Sequence, residues 1–149
     1  MNIRRFAIIF ALLLITTLVY GFTSQTGSSN QILEDIGVQE AFELIQSNQG
    51  NPDFVIVDIR TPEEFNEGHI ENSVNTDFYS ETFREELDKF DKSKTYFIYC
   101  RSGNRSGRAM PVMKELGFQE VYNLSAGIKE WIAEGLLALP SVSSKSKQN

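Results

Sequence analysis

A chain of 149 residues, 41% hydrophobic and 23% charged, has the make-up of one ordinary globular domain and leaves little room for a second. Its formal net charge of −6, from 14 Lys+Arg against 20 Asp+Glu, disfavours a nucleic-acid binder held by counterion release. With one cysteine, Cys100, and one histidine, His69, the chain can build neither an intramolecular disulfide nor a multi-cysteine or histidine-cluster metal site, and no metal or organic cofactor is implied.

At the N-terminus, Arg4 and Arg5 precede an apolar run from Phe6 to Tyr20 that only Thr16 and Thr17 interrupt, and no acidic residue occurs before Glu34. This is the layout of an export signal, a positive n-region followed by a long apolar h-region. Residues 6–22 also approach the roughly 20 residues of a membrane span. Residues 1–22 are therefore expected to be either a cleaved signal peptide, with Val19 and Gly21 as the small residues of its cleavage site, or an uncleaved signal anchor. In both cases the arginines stay cytoplasmic and the rest is exported to the periplasm or another extracytoplasmic space, touching the membrane only through this segment. A polar linker, residues 23–31, leads into the folded domain, expected over 32–138. A polar, serine-rich tail follows over 139–149.

Inside the domain, Val38, Ala41, Phe42, Leu44 and Ile45 repeat at helical spacing before a turn through Asn48-Gln49-Gly50-Asn51-Pro52. The continuous β-branched run Phe54-Val55-Ile56-Val57 predicts a strand buried on both faces. Thr61-Pro62-Glu63-Glu64 is a capping box with proline at the first helical position, so a short helix starts there and stops at Gly68. Residues 81–90 read as a charged amphipathic helix, and Thr95 to Tyr99 as a second buried strand that delivers Cys100 at its C-terminal end. Ser106 to Leu116 predicts a helix closed by Gly117, with Pro111 an awkward interior residue. Val121-Tyr122 is a third short strand, and Gly127 to Glu134 a last helix. Strands alternating with helices imply a parallel sheet covered on both faces, the α/β class.

Chemistry concentrates in Cys100-Arg101-Ser102-Gly103-Asn104-Arg105-Ser106. Ligands of open α/β sheets sit at the carboxyl ends of the strands, where Cys100 lies, just before a helix N-terminus. Gly103 and Asn104 are the two residue types that most easily take positive φ, and a tight loop built on them turns backbone N–H groups inward as an anion nest. That nest, the helix dipole, Arg101 and Arg105 would all favour a thiolate, whose pKa in such settings falls from about 8.5 to roughly 3.5–7.5. The same groups would hold an oxyanion placed for attack by sulfur.

These stretches resemble a known family. Val57-Asp58-Ile59-Arg60-Thr61-Pro62-Glu63-Glu64-Phe65, Glu67-Gly68-His69-Ile70, Tyr99 to Ser106, Gly117-Phe118 and Leu124 to Trp131 are similar, in order and spacing, to the rhodanese-like sulfurtransferases. The resemblance implies one rhodanese-like domain of about five mostly parallel strands flanked by helices on both faces. It implies that Cys100 is the nucleophile, taking a sulfane sulfur from a small donor such as thiosulfate, holding it as a persulfide and passing it to a thiol or cyanide. Arg101, Ser102, Gly103, Asn104, Arg105 and Ser106 would form the substrate cradle, with Arg105 fixing the loop and facing anionic donors and Arg101 a second donor-binding residue. Asp58 and Arg60 either border the pocket or form a structural ion pair. His69 is expected to bond backbone rather than act as a base, and Trp131 to lie in the core. The chain departs from the usual pattern at Glu71-Asn72-Ser73, Ala126-Gly127 and Pro111.

Four residues separate Cys100 from Arg105, where cysteine phosphatases and arsenate reductases of related architecture place five to wrap a tetrahedral oxyanion. The smaller cradle suits a terminal sulfur better. The alternative to an enzyme is an exported sulfur carrier or protein-binding module that does not turn over free thiosulfate. A lone reactive thiol in an oxidising compartment also calls for a protein sulfur donor or reductant as partner.

Overall fold

The computed structural model describes residues 30–136 and 138–139, so the export segment, most of the linker and the tail beyond Leu139 lie outside the described residues. In chain order the elements are β1 (Ile32–Ile36), α1 (Val38–Ser47), β2 (Phe54–Asp58), α2 (Pro62–Glu67), β3 (Val74–Asn75), α3 (Phe83–Asp88), β4 (Thr95–Tyr99), α4 (Asn104–Glu115), β5 (Glu120–Leu124) and α5 (Gly127–Ala133). The strands form one sheet in the order β1-β5-β4-β2-β3, with every neighbouring pair parallel. The class is α/β, as the alternation of periods predicts.

Alternate side chains leave the sheet on opposite faces, and each face builds its own core. Val57, Tyr96, Ile98 and Val121 meet Phe83 and Leu87 of α3 and Ala109 and Met113 of α4. Ile36, Ile56, Phe97, Tyr99 and Leu124 meet Ala41 of α1 and Ile128 and Trp131 of α5. The central strand β4 is covered from both sides, with Phe97, Ile98 and Tyr99 at 0% exposure. It is this strand that carries Cys100.

Two strands have no signal in the local pattern. β1 is an edge strand with two acidic residues, paired only to β5, and β3 is two residues long with Val74 exposed. Neither has a continuous apolar run, because neither is buried on both faces. The helix expected from Ser106 begins two residues earlier at Asn104 and runs through the exposed Pro111, and the one expected over 81–90 is confined to Phe83–Asp88. Both domain edges also shift. Gln31, assigned to the linker, donates its side-chain amide to the carbonyls of Lys114 (3.1 Å) and Phe118 (2.8 Å). Leu139, assigned to the tail, exchanges backbone hydrogen bonds with His69 at 2.8 and 2.7 Å. Among the described residues, no helix is long and apolar enough to cross a membrane.

Candidate active site

Cys100 follows directly on β4 and is 1% exposed. The chain then turns through Arg101 and Ser102 to Gly103, which takes φ 80° in the left-handed region at the N-cap of α4. No other residue type fits there. A Cβ on Gly103 would collide with the carbonyl oxygen of Ser125, and one on Gly127 (φ 67°) would overlap the nitrogen of Ser102. The turn between β5 and α5 is thus pressed against the cysteine loop. It is also bonded to it, since the N–H of Ile128 donates to the Cys100 carbonyl (2.9 Å) and that of Lys129 to the Arg101 carbonyl (3.1 Å). Gly127 is the residue of the Ala126-Gly127 pair that makes the close approach.

The sulfur is surrounded by donors. The Ser106 hydroxyl lies 3.4 Å from Sγ and 3.2 Å from the Gly103 carbonyl, so its one hydrogen is shared between them. Backbone N–H groups of Ser106, Ser102 and Arg105 also face the sulfur and favour its thiolate. Burial pushes the thiol up, but the Ser106 hydroxyl and these three amides outweigh it, leaving Cys100 more acidic than an ordinary thiol. Of the two residues expected to turn the loop, Gly103 alone takes positive φ; Asn104 is the first residue of α4.

The loop's arginines are in different states. Arg105 is held by Glu64 in a bidentate fork, Nη1 to Oε2 at 2.6 Å and Nη2 to Oε1 at 2.8 Å, under the ring of Tyr79 whose centroid is 5.5 Å away. The Arg105 hydrogen bond holds the Glu64 carboxyl below its ordinary range, and Glu64 in turn raises the guanidinium. Arg105, expected to face anionic donors, instead has its fork turned to Glu64. Arg101 is exposed, and its side chain has no hydrogen bond, ion pair or ring contact among the described residues.

The structure does not bring Asp58 and Arg60 into this site. Asp58 pairs in register with Tyr99 and shares the Ile56 side of the sheet, whereas Cys100 belongs to the Val57 side. There Arg60 bonds Asp58 through Nε (3.0 and 2.9 Å) and Nη2 (2.6 Å) and reaches the Gly68 carbonyl (2.6 Å), with both residues buried. Of the two readings, the structural ion pair is the one seen. His69 bonds the Phe65 carbonyl through Nδ1 (3.0 Å) and stacks on the Phe65 ring at 3.9 Å. Trp131, 4% exposed, packs against Phe42 and lines a cleft of about 850 Å3 whose walls contain no residue of the cysteine loop. Among the described residues no cluster of three metal-ligating side chains occurs.

Sequence reading missed Glu64, Tyr79 and the Ser125–Gly127 buttress as parts of the site. Glu64 was visible as the N3 carboxylate of the capping box, where it accepts from the Thr61 N–H at 3.3 Å. Nothing local shows that the same carboxylate also grips Arg105. Tyr79 had no local signal at all.

A family model described as Rhodanese-like domain matches residues 41–134. A tRNA uridine(34) hydroxylase of Photorhabdus laumondii is 33% identical over 113 residues, covering 70% of this chain and 32% of the relative. A protein of the same name from Yersinia pestis is 37% identical over 87 residues, covering 54% and 24%. The chain thus spans a third or less of the length of these curated relatives. Among solved structures, a rhodanese-related protein from Thermoplasma volcanium superposes with a TM-score of 0.61 at 28% identity, covering 71% of this chain and 97% of that one. A polysulfide-sulfur transferase homodimer from Wolinella succinogenes shares the fold with a TM-score of 0.58 at 24% identity, covering 87% and 94%.

Proposed function

The chain belongs to the rhodanese-like domain family, and from that premise we propose that it is a sulfurtransferase that carries a sulfane sulfur on Cys100 from thiosulfate or a similar donor to a thiophilic acceptor. The observation that supports it most is the buried, acidified Cys100 thiol ringed by the Ser106 hydroxyl and the N–H groups of Ser102, Arg105 and Ser106. A thiolate in such a cradle attacks the sulfane sulfur, the sulfur–sulfur bond of thiosulfate breaks, and sulfite leaves with the electron pair. The inward N–H groups then hold the persulfide anion. Cyanide or a thiolate next attacks the terminal sulfur and returns the electron pair to Cys100. The cycle needs no metal and no outside oxidant.

A tRNA-directed activity is the weaker reading. The chain spans only 32% and 24% of the relatives named tRNA uridine(34) hydroxylase, and its net charge of −6 opposes a polyanionic substrate. The proposal includes export through residues 1–22, which protease protection in fractionated cells tests directly.

The decisive test is intact mass spectrometry of the reduced chain before and after thiosulfate, with Cys100→Ser alongside. Gain of one sulfur atom on the wild type alone, removed by cyanide, is expected. No gain on reduced Cys100, or equal gain on the serine variant, overturns the assignment.

A further inference from the structure

The loop around Cys100 carries two arginines, yet only one is free to meet a substrate. Both carboxylate oxygens of Glu64 are bonded to Arg105, at 2.6 and 2.8 Å. The pair is mostly covered, with side-chain exposure of 12% for Arg105 and 25% for Glu64, so solvent screens it less than a surface pair. Glu64 cannot readily swing away, since the same carboxylate caps α2 through the Thr61 N–H, and the Tyr79 ring covers the guanidinium. An anion approaching the sulfur therefore meets Arg105 already neutralised. Arg101, the exposed first residue of the loop, has no such partner among the described residues.

We propose that Glu64 sets the anion selectivity of the Cys100 site: by closing the Arg105 fork it withdraws that charge from substrate recognition and leaves Arg101 to draw in the anionic end of a donor. That the anion is a sulfur donor rests on the sulfur-transfer reading, whereas the charge preference does not. A Glu64 that served only the cap and the loop would have a different signature, because its loss would loosen the site and change reaction with every reagent alike.

The test uses the sole cysteine as its own reporter. Cys100 of the full chain is alkylated with iodoacetate, an anion, and with iodoacetamide, its neutral counterpart, and adducts are followed by intact mass. The ratio of the two rates cancels thiol acidity and general loosening of the loop, so it reads charge recognition alone. Arg101→Gln should lower the iodoacetate-to-iodoacetamide ratio about five-fold. Glu64→Gln retains a capping-box residue but lacks the negative charge, and should raise the ratio about five-fold by releasing Arg105. In the double variant Arg105 substitutes for Arg101, so the Arg101→Gln effect should largely vanish.

An unchanged or lowered ratio in folded Glu64→Gln, or additive effects in the double variant, overturns the proposal. So does complete protection of Cys100 from both reagents, since a site closed to so small an anion selects none. Arg101→Gln, at an exposed side chain, keeps the test decisive where Glu64→Gln fails to fold, because an unmoved ratio there refutes the role of Arg101. If the ratios move as stated while thiosulfate adds no sulfur, the sulfur-transfer reading falls and the selectivity stands. The reverse pattern removes only the selectivity.

Discussion

Gly127 and Ser102 are in backbone contact: the space a Cβ on Gly127 would need is already taken by the Ser102 nitrogen, although 25 positions separate the two in sequence. The contact joins the start of α5 to the cysteine loop and sets how tightly the loop closes over the sulfur.

Gly127→Ala must therefore either push the loop out or abandon φ 67°. The left-handed conformation alone costs a residue with a Cβ about 1–2 kcal/mol, and the displaced Ser102 N–H is one of the donors to Cys100. Sulfur uptake, followed by mass, should slow about ten-fold or more, with a lowered melting temperature. Gly107→Ala is the contrast. Its Cβ would meet only the Asn123 amide nitrogen at 3.7 Å, and alanine inside α4 should stabilise by roughly 0.5–1 kcal/mol without altering uptake.

The acidity of Cys100 is a balance in which burial opposes the Ser106 hydroxyl and three amides. Because the net shift is downward, the rate of persulfide formation should rise with pH through a midpoint below that of an ordinary thiol and level off above it. Ser106→Ala removes the hydroxyl and leaves burial in place, so its midpoint should move up, reducing the rate at neutral pH but not on the high-pH plateau. A midpoint that stays put would show that the backbone N–H groups suffice.

The buried Asp58–Arg60 pair belongs to the fold rather than to the chemistry. Arg60→Met leaves Asp58, at 0% exposure, without its charge partner and should cost about 3–5 kcal/mol in urea unfolding. Removing both charges, in Arg60→Met with Asp58→Leu, should recover much of that loss. Sulfur uptake per folded molecule should be unchanged in the double variant, since the pair faces away from Cys100.

His69 is engaged with the Phe65 carbonyl and ring. His69→Asn should lower stability by about 1 kcal/mol and leave the pH dependence of sulfur uptake as it is. A general base in its place would instead show a rate loss of roughly 100-fold or more and a lost limb of the pH profile.

Signals that live within a few residues were legible from the start. The capping box at Thr61–Glu64, the β-branched run of β2, the apolar run of β4 and the cysteine at its end are set by backbone preferences and by burial, which leave their mark in consecutive residues. The glycine after Cys100 is equally local, since a turn that tight needs a left-handed residue. Edge strands escape this logic. β1 and β3 are strands because β5 and β2 offer them unpaired backbone, and an edge imposes no apolar period.

The sequence by itself determined the α/β alternation, the strand end that presents Cys100 and the loop that turns around it, because each follows from local conformation. Only the tertiary structure decided that Glu64 claims Arg105 from 41 positions away, that Gly127 buttresses Ser102, and that Asp58 and Arg60 fall on the opposite face from the sulfur. The reason is geometric. These relations depend on the strand order β1-β5-β4-β2-β3 and on the register between β2 and β4, and neither is written in any short stretch of the chain.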